Sequence, residues 1–255
     1  ASAGPPFTTW NDPVHPLRFP DDPAPGIRRM LGYLHRAVAL NINSRLVAEH
    51  RGDYLDHLHV HEIGLAGEMP DCEPGDIGVA VDLDRAGSDF TVPEIEPFVV
   101  RPRDAHGVTV TATLVQHAPV FPALAYRFDT PSGSVVFSGD TGPCDNVVRL
   151  ATGVDVLVHE VIDLDALLGR LSNLPNYEQI RGQLSRSHTP VSAVGEIARR
   201  AGVGTLVLSH LVPGEGAHAP EEWEALARAG APDFGGKIVC GVDLDEFALD
   251  VSGSV

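Results

Sequence analysis

The chain has 255 residues, of which 43% are hydrophobic, and a chain of this length can bury a substantial core without disulfide bonds. Its 35 acidic residues against 18 lysines and arginines give a formal net charge of −17, which disfavours broad binding of nucleic-acid backbones. Three widely spaced cysteines predict free thiols in a reducing, cytoplasmic compartment, and no apolar run approaches the roughly 20 residues that a membrane-spanning helix needs.

The first 105 residues predict irregular structure around a single helix. Residues 1–26 are rich in proline and glycine, which is typical of a loop. Residues 27–49 repeat apolar side chains at three- and four-residue steps and predict one amphipathic helix. Residues 50–105 are acidic and interrupted by glycine and proline. Short strands are predicted there near 57–63, 78–83 and 95–101.

From residue 106 the pattern predicts a regular α/β fold. Alternating or continuous apolar runs predict strands at 108–115, 124–128, 134–137, 154–158, 205–208, 238–242 and 247–251. A helix is predicted at 189–201, with Thr189 as its N-cap and Gly202 just past its end. Because hairpin-connected strands alternate with helices, we expect a mixed sheet covered by helices in a single domain, 1–255.

Three apolar runs each lead into a side chain that can bind metal, namely His117, Asp140 and His210. Strand ends can hold several ligands rigidly around one point, and imidazole and carboxylate suit zinc and other first-row divalent ions. Asp140 has two oxygens and could bridge two ions that share a nucleophilic hydroxide. A lone histidine at a strand end is more often structural, and Gly139-Asp140 also suits an ordinary turn. The shared placement of the three residues favours a metal site.

Five motifs stand in order across this region. They are His117-Ala-Pro-Val-Phe-Pro-Ala-Leu-Ala-Tyr126-Arg127, Phe137-Ser-Gly-Asp140-Thr141, Asp155-Val-Leu-Val-His159-Glu160, Ser187-His188-Thr189 and Leu208-Ser209-His210-Leu211. Together they resemble the C-terminal half of the metallo-β-lactamase-fold hydrolases, on the branch that includes ribonuclease Z and the arylsulfatase-like enzymes. The resemblance implies an αββα sandwich of mixed sheets flanked by helices, and two Zn²⁺ ions, with Mn²⁺ or iron as alternatives.

The resemblance also implies roles for single residues. His117 would bind one ion, His210 the other, and Asp140 would bridge both and take part in catalysis. His188 would face the substrate and protonate the leaving group or stabilise negative charge; the alternative is a histidine that only orders a loop. His159 and Glu160 would support the site from behind the ligands.

The family's first metal motif, His-x-His-x-Asp-His, is absent from the sequence. The nearest imitation, His57-Leu58-His59-Val60-His61, would place three histidines on one face of a strand, and a surface or interface strand is the interpretation we favour. We therefore expect the natural polypeptide to extend N-terminally. On this interpretation 27–105 corresponds to an insert and 106–255 to the C-terminal half of the metal-site fold.

The predicted function is metal-dependent hydrolysis of a phosphodiester, ester or sulfate ester by a metal-bridged hydroxide. The acidic charge favours a small-molecule substrate over nucleic acid, and no membrane partner is expected. Two alternatives stay open: a catalytically inactive binding or dimerisation module, and a transfer-RNA 3′-processing endonuclease. A homodimer formed through the helix at 27–49 is a further expectation.

Overall fold

The computed structural model describes residues 26–65, 75–79, 91–118, 120–171, 173–214, 216–247 and 249. The chain divides into two compact units, Ala1–Leu83 and Asp84–Val255, which are described separately below. That one domain spans 1–255 stays a prediction. No helix among the described residues is long and apolar enough to cross a membrane.

The first unit contains two consecutive helices, α1 (Ile27–Ala37) and α2 (Ala39–Ala48). The prediction of one continuous helix over 27–49 is therefore wrong. The break falls at Val38, whose backbone leaves the helical region at φ −107° and ψ 15°. Valine is β-branched and has a reduced helix propensity, and the Val38 carbonyl accepts the first hydrogen bond of α2 from Ile42.

The strand predicted near 57–63 is also wrong for most of its length. Tyr54–His57 form a 3₁₀ turn, and the strand β1 begins only at Ile63 (Ile63–Leu65). It pairs in parallel with β2 (Ile77–Val79), which confirms the start of the strand predicted at 78–83; residues 80–83 lie outside the described part of the chain.

A partly buried ion pair joins several segments of this small unit. The Asp76 side chain is fully buried and accepts two hydrogen bonds from the Arg28 guanidinium, at 2.8 and 3.0 Å. Asp76 also accepts the backbone N–H of Glu62 at 2.8 Å. The starts of β1 and β2 are thus joined to α1 through one carboxylate, whose charge is balanced inside the unit.

The second unit is built on a seven-stranded sheet of order β3-β4-β5-β6-β7-β8-β9. Its strands are β3 (Phe98–Arg101), β4 (Thr109–Leu114), β5 (Leu124–Thr130), β6 (Gly133–Phe137), β7 (Val156–Ile162), β8 (Thr205–Val212) and β9 (Lys237–Cys240). Neighbours are antiparallel from β3 to β6 and parallel from β6 to β9. The predicted mixed sheet is confirmed. The strand predicted at 247–251 lies mostly outside the described residues.

Five helices are found among the described residues of this unit. They are α3 (Asp145–Leu150), α4 (Leu164–Leu171), α5 (Tyr177–Ser187), α6 (Val191–Ala201) and α7 (Pro220–Ala229). The core forms where α3, α6 and α7 cover the sheet, and Leu157, Leu206, Val194 and Trp223 are almost completely buried there. Burying each such side chain stabilises the fold by about 1.5–3 kcal/mol, so this layer fixes the strands that lead to the site.

Helix α6 confirms most of the predicted helix at 189–201, and it ends at Gly202 in the left-handed conformation, with φ 65°. The predicted N-cap is wrong, because the helix begins after Pro190. The Thr189 hydroxyl instead donates a hydrogen bond to the Thr141 carbonyl, at 2.6 Å. The other four helices go beyond the elements that the sequence predicts.

Candidate metal centre

Four predicted site residues meet at one edge of the seven-stranded sheet. His117 follows β4, Asp140 follows β6, His188 directly follows α5, and His210 lies near the end of β8. Strands β4 and β6 both run antiparallel to β5, and β6, β7 and β8 are mutually parallel. The C-terminal ends of β4, β6 and β8 therefore reach the same edge of the sheet.

The Asp140 carboxylate lies between two imidazoles. Its Oδ2 is 4.0 Å from His117 Nε2, and its Oδ1 is 3.7 Å from His210 Nε2. Each oxygen thus faces a different histidine. Zinc binds nitrogen and oxygen ligands at about 2.0–2.2 Å, so one ion can contact two atoms that lie about 4 Å apart. The Asp140 and His210 side chains are 40% and 49% exposed, which leaves the donor atoms accessible.

The protonation of His117 follows from its partner. Its Nδ1 lies 2.8 Å from the Ser187 carbonyl oxygen, which can only accept a hydrogen bond. His117 Nδ1 therefore carries the proton, and the Nε2 that faces Asp140 keeps its lone pair in the neutral ring. A backbone carbonyl in this position commonly orients a metal-binding imidazole.

The turn after β6 depends on Gly139. This residue has φ 60°, and a Cβ atom on it would lie 3.0 Å from the Leu124 carbonyl oxygen. A larger side chain would be strained both by the backbone angle and by this close approach. The glycine lets the chain turn sharply between the end of β6 and Asp140.

A β-bulge directs His210 toward the site. Glu160 on β7 pairs with Ser209 on β8, but the next residue, Val161, pairs with Leu211. His210 is the extra residue and has φ 46°, a left-handed angle that is uncommon outside glycine. The local distortion turns its imidazole to the sheet edge where Asp140 lies.

Glu160 joins the two loops of the site. Its side chain is only 2% exposed, and Oε1 accepts the backbone N–H groups of Thr141 and Thr189, both at 3.0 Å. The same oxygen lies 3.3 Å from His188 Nδ1, though not aligned for a regular hydrogen bond. The carboxylate therefore fixes the loop after Asp140 and the loop that carries His188 relative to each other.

His188 lies among the other imidazoles. Its ring centre is 5.2 Å from that of His117 and 5.9 Å from that of His210, to which it is nearly parallel. The Glu160 carboxylate raises the pKa of His188, burial of the ring opposes this, and the charge of Asp140 adds to the increase. His188 therefore keeps a proton to higher pH than an ordinary histidine.

The other histidines considered from the sequence do not join these four residues at the candidate metal centre. His159 is completely buried, with Nδ1 donating to the Glu160 carbonyl at 2.7 Å, and burial lowers its pKa. His57, His59 and His61 are exposed in the first unit. Among the described residues, the groups that could hold an ion are His117-Asp140-His188 and Glu160-His188-His210.

Three supporting residues have contacts that the sequence did not predict. Thr141 and Thr189 donate to Glu160, and the Ser138 hydroxyl accepts the Glu160 backbone N–H at 3.1 Å. All three are almost completely buried. Ser138, Thr141 and Thr189 each lie within two residues of a predicted site residue. Their position in the motifs was therefore the sequence feature that could have indicated a supporting role.

A family model described as "Beta-lactamase superfamily domain" matches residues 75–211, more than half of the chain, and this range contains all four site residues. The chain belongs to this superfamily. The metallo-β-lactamase fold, predicted from the five motifs, is thereby confirmed for the mixed sheet and its flanking helices.

Curated relatives resemble more than half of the chain. A putative ribonuclease Z of Mycobacterium tuberculosis (strain CDC 1551 / Oshkosh) is 38% identical over 161 residues, which are 62% of this chain and 68% of the relative. The ribonuclease Z of Mycobacterium avium (strain 104) is 37% identical over 147 residues, 58% of this chain and 49% of the relative. The chain thus spans about half to two thirds of the length of these relatives.

Among solved structures, the short form of human tRNase Z overlaps 71% of this chain and 57% of its own, with a TM-score of 0.42 and 17% identity. An overlap at this TM-score carries no weight for function. Membership of the superfamily rests on the family model and the curated relatives.

Proposed function

We propose that this chain forms part of a metal-dependent phosphodiesterase of the ribonuclease Z type, acting on the 3′ end of transfer-RNA precursors. The proposal is supported by the curated relatives, which are named ribonuclease Z at 37–38% identity. Their names favour the endonuclease alternative over the small-molecule substrate that the net charge suggested. The observation that carries the proposal is the Asp140 carboxylate, whose two oxygens each face a different imidazole nitrogen.

The donor set fits zinc. His117 presents a neutral Nε2, Asp140 presents two accessible oxygens, and both kinds of donor are usual zinc ligands. His117 and Asp140 would hold one ion, and Asp140 and His210 would hold a second. Bound ions of this kind lower the pKa of a water molecule and neutralise charge on a phosphoryl oxygen.

The other residues of the site position and move protons. Glu160 holds the His188 loop and favours the protonated imidazole, so His188 can donate a proton to the departing oxygen of the cleaved ester. Transfer of this proton avoids the release of an unstabilised alkoxide. We assign Glu160 as a positioning residue, since its Oε1 accepts the N–H groups of Thr141 and Thr189 and so holds both loops.

The proposal is tested by measuring bound zinc and hydrolysis of both a 3′-extended transfer-RNA precursor and bis-p-nitrophenyl phosphate. The measurements are made on this chain and on a form extended at its N-terminus. In the form that is active, Asp140→Ala should abolish zinc binding and lower the rate of hydrolysis more than about 100-fold. Loss of a residue that only orients a metal ligand costs up to about 100-fold in activity, so a larger loss indicates a ligand.

A matched control is Asp233→Ala, which removes an exposed aspartate from the loop between α7 and β9. It should leave both zinc binding and hydrolysis unchanged. Absence of zinc and of hydrolysis from both forms of the wild-type protein would favour the inactive binding module and overturn the proposal. Hydrolysis that survives Asp140→Ala would show that the site lies elsewhere.

A further inference from the structure

A cleft of about 1050 Å³ with a mixed polar and apolar lining lies in the second unit, next to the candidate metal centre. Its walls include Gln116, the residue directly before His117, and Arg186, two residues before His188. The cleft is therefore formed by the same chain segments that carry the site, although it contains none of the proposed ligands.

These segments are in direct backbone contact. The Gly142 N–H, two residues after Asp140, donates to the Gln116 carbonyl at 2.6 Å. A Cβ atom on Gly142 would lie only 2.4 Å from the Arg186 carbonyl oxygen, so only glycine allows the two backbones to approach this closely. The segments that carry His117, Asp140 and His188 thus also form part of the cleft wall.

The floor of the cleft is rigid. Asn146 is 1% exposed, and its Nδ2 donates to the carbonyls of Pro93 and Leu114, both at 3.0 Å. Its Oδ1 accepts the Ile95 N–H at 3.2 Å. Both polar atoms of this amide are bonded to neighbouring backbone groups, so Asn146 fixes the segments that meet at this part of the cleft.

The two carboxylates in the cleft walls are both paired with arginines. Glu94 forms an ion pair with Arg149, and Asp145 forms one with Arg200 at 2.9 Å. Because these negative charges are balanced locally, they do not repel an anion as strongly as the net charge of the chain would suggest.

Arg186 is the one cation among the residues that line the cleft, and its guanidinium forms no ion pair with the described residues. Gln179 and Gln183 precede it on α5 at spacings of seven and three residues, which place all three on one face of the helix. An amide side chain both donates and accepts hydrogen bonds, as base edges do. The lining therefore combines the positive charge of Arg186 and two carboxylates already paired with arginines with neutral amide groups that suit a nucleobase.

We propose that this cleft binds a nucleotide of the RNA strand beside the scissile phosphodiester, with Arg186 on a phosphate and Gln179 and Gln183 on the base. The identity of the strand rests on the proposed function. A bare anion would need only the guanidinium, whereas a cavity of about 1050 Å³ lined by amides has room for a sugar and a base. The guanidinium can contact two phosphate oxygens at once.

The test measures binding of a fluorescent single-stranded oligoribonucleotide to metal-free protein by anisotropy, over a range of salt concentrations. Arg186→Gln keeps most of the side-chain length and removes the charge. It should weaken binding about tenfold and reduce the slope of log K against log salt concentration by about 0.7, the value for one phosphate contact with a single strand. Gln183→Ala should weaken binding and leave the slope unchanged.

The control is Arg181→Gln, on the same helix but outside the cleft, where Arg181 lies 3.8 Å from Glu178. It should change neither the affinity nor the slope, and the melting temperature of each variant checks that it is folded. Equal slopes for Arg186→Gln and wild type, or no binding by wild type, would overturn the proposal.

The two proposals fail separately. RNA cleavage by wild type, together with binding that is insensitive to Arg186→Gln, would refute the cleft and leave the proposed function standing. Binding that depends on Arg186, without any hydrolysis by either this chain or its N-terminally extended form, would support the cleft and refute the proposed function.

Discussion

The two sides of the candidate metal centre differ in how they are held. On one side, Glu160, Thr141 and Thr189 are at most 3% exposed and are joined by hydrogen bonds. On the other side, the Asp140 and His210 side chains are 40% and 49% exposed, and their closest charged contacts are 3.7–4.0 Å away. The hydrogen bonds on the first side fix the conformation of the loops. The second side presents donor atoms whose charged neighbours are too far away for a short hydrogen bond.

This difference predicts that one side of the site determines the folding stability of the chain and the other side determines metal binding. Buried polar groups cost free energy when a partner is removed, whereas exposed side chains away from hydrogen-bond networks can be replaced at little cost. The buried side should therefore dominate the stability of the metal-free chain. The exposed side should matter only when an ion is bound, and the following variants test this contrast in order of expected effect.

Glu160→Ala should have the largest effect on folding. It leaves the buried N–H groups of Thr141 and Thr189 without an acceptor, at a cost of about 3 kcal/mol in the free energy of unfolding. Glu160→Gln keeps one acceptor oxygen and should cost about 1 kcal/mol. Urea unfolding of metal-free protein measures both values.

The matched control for this variant is Glu196→Ala, which removes an exposed glutamate that pairs with Arg199 on α6. A surface pair of this kind contributes less than about 1 kcal/mol. If Glu160→Ala were no more destabilising than this control, the buried hydrogen bonds of Glu160 would not be what stabilises the loops.

Asp163→Asn should have an intermediate effect on the free energy of unfolding. Like Glu160, Asp163 is a carboxylate that accepts a backbone N–H and lies beside a histidine, but its side chain is 15% exposed. Its carboxylate accepts the Ala166 N–H at 3.0 Å and lies 2.7 Å from His218 Nε2. Loss of the charge should cost about 1 kcal/mol at neutral pH.

The effect of Asp163 should depend on pH. Burial alone would raise the pKa of Asp163, but the hydrogen bonds from Ala166 and His218 outweigh it and hold the pKa below 3.8. A carboxyl with a lowered pKa stabilises the fold above the unfolded value and loses this contribution as pH falls through the folded value. The difference between wild type and Asp163→Asn should shrink in acid below pH 3.8; a constant or growing difference would contradict this assignment.

Asp140→Asn should have the smallest effect on the metal-free chain, within about 0.5 kcal/mol of wild type, as expected for an exposed side chain outside a network. The same urea unfolding experiment applies. A loss comparable to that of Glu160→Ala would mean that Asp140 is a structural residue and that the proposed division of the site is mistaken.

Much of the sheet could be predicted from the sequence, because its strands are apolar runs bounded by turns. The hairpin of β5 and β6 was predictable in this way. Helix α6 was predictable because its apolar residues recur at helical spacing. Helix α5 could not be predicted in the same way, since its sequence Tyr177–Ser187 is mostly polar and shows no broad apolar stripe. Helix α3 has only six residues, too few to establish a helical period.

For the site, the sequence predicts which residues converge, but not how. That His117, Asp140 and His210 meet follows from their places after or near strand ends. The bulge at His210 depends on the register between β7 and β8, which no local pattern records. The contacts of Glu160 depend on two loops far apart in the chain, and so the sequence indicated only a supporting role.

The most direct test of the central claim is the melting temperature of the chain as zinc is added, in wild type and in Asp140→Asn. Zinc at about 100 times its dissociation constant should stabilise the wild-type fold by about 2.7 kcal/mol and raise the melting temperature accordingly. Asp140→Asn, equally stable without metal, should show no such increase. An increase of the same size in both proteins, or none in either the wild-type chain or its N-terminally extended form, would contradict the assignment of Asp140 as a zinc ligand.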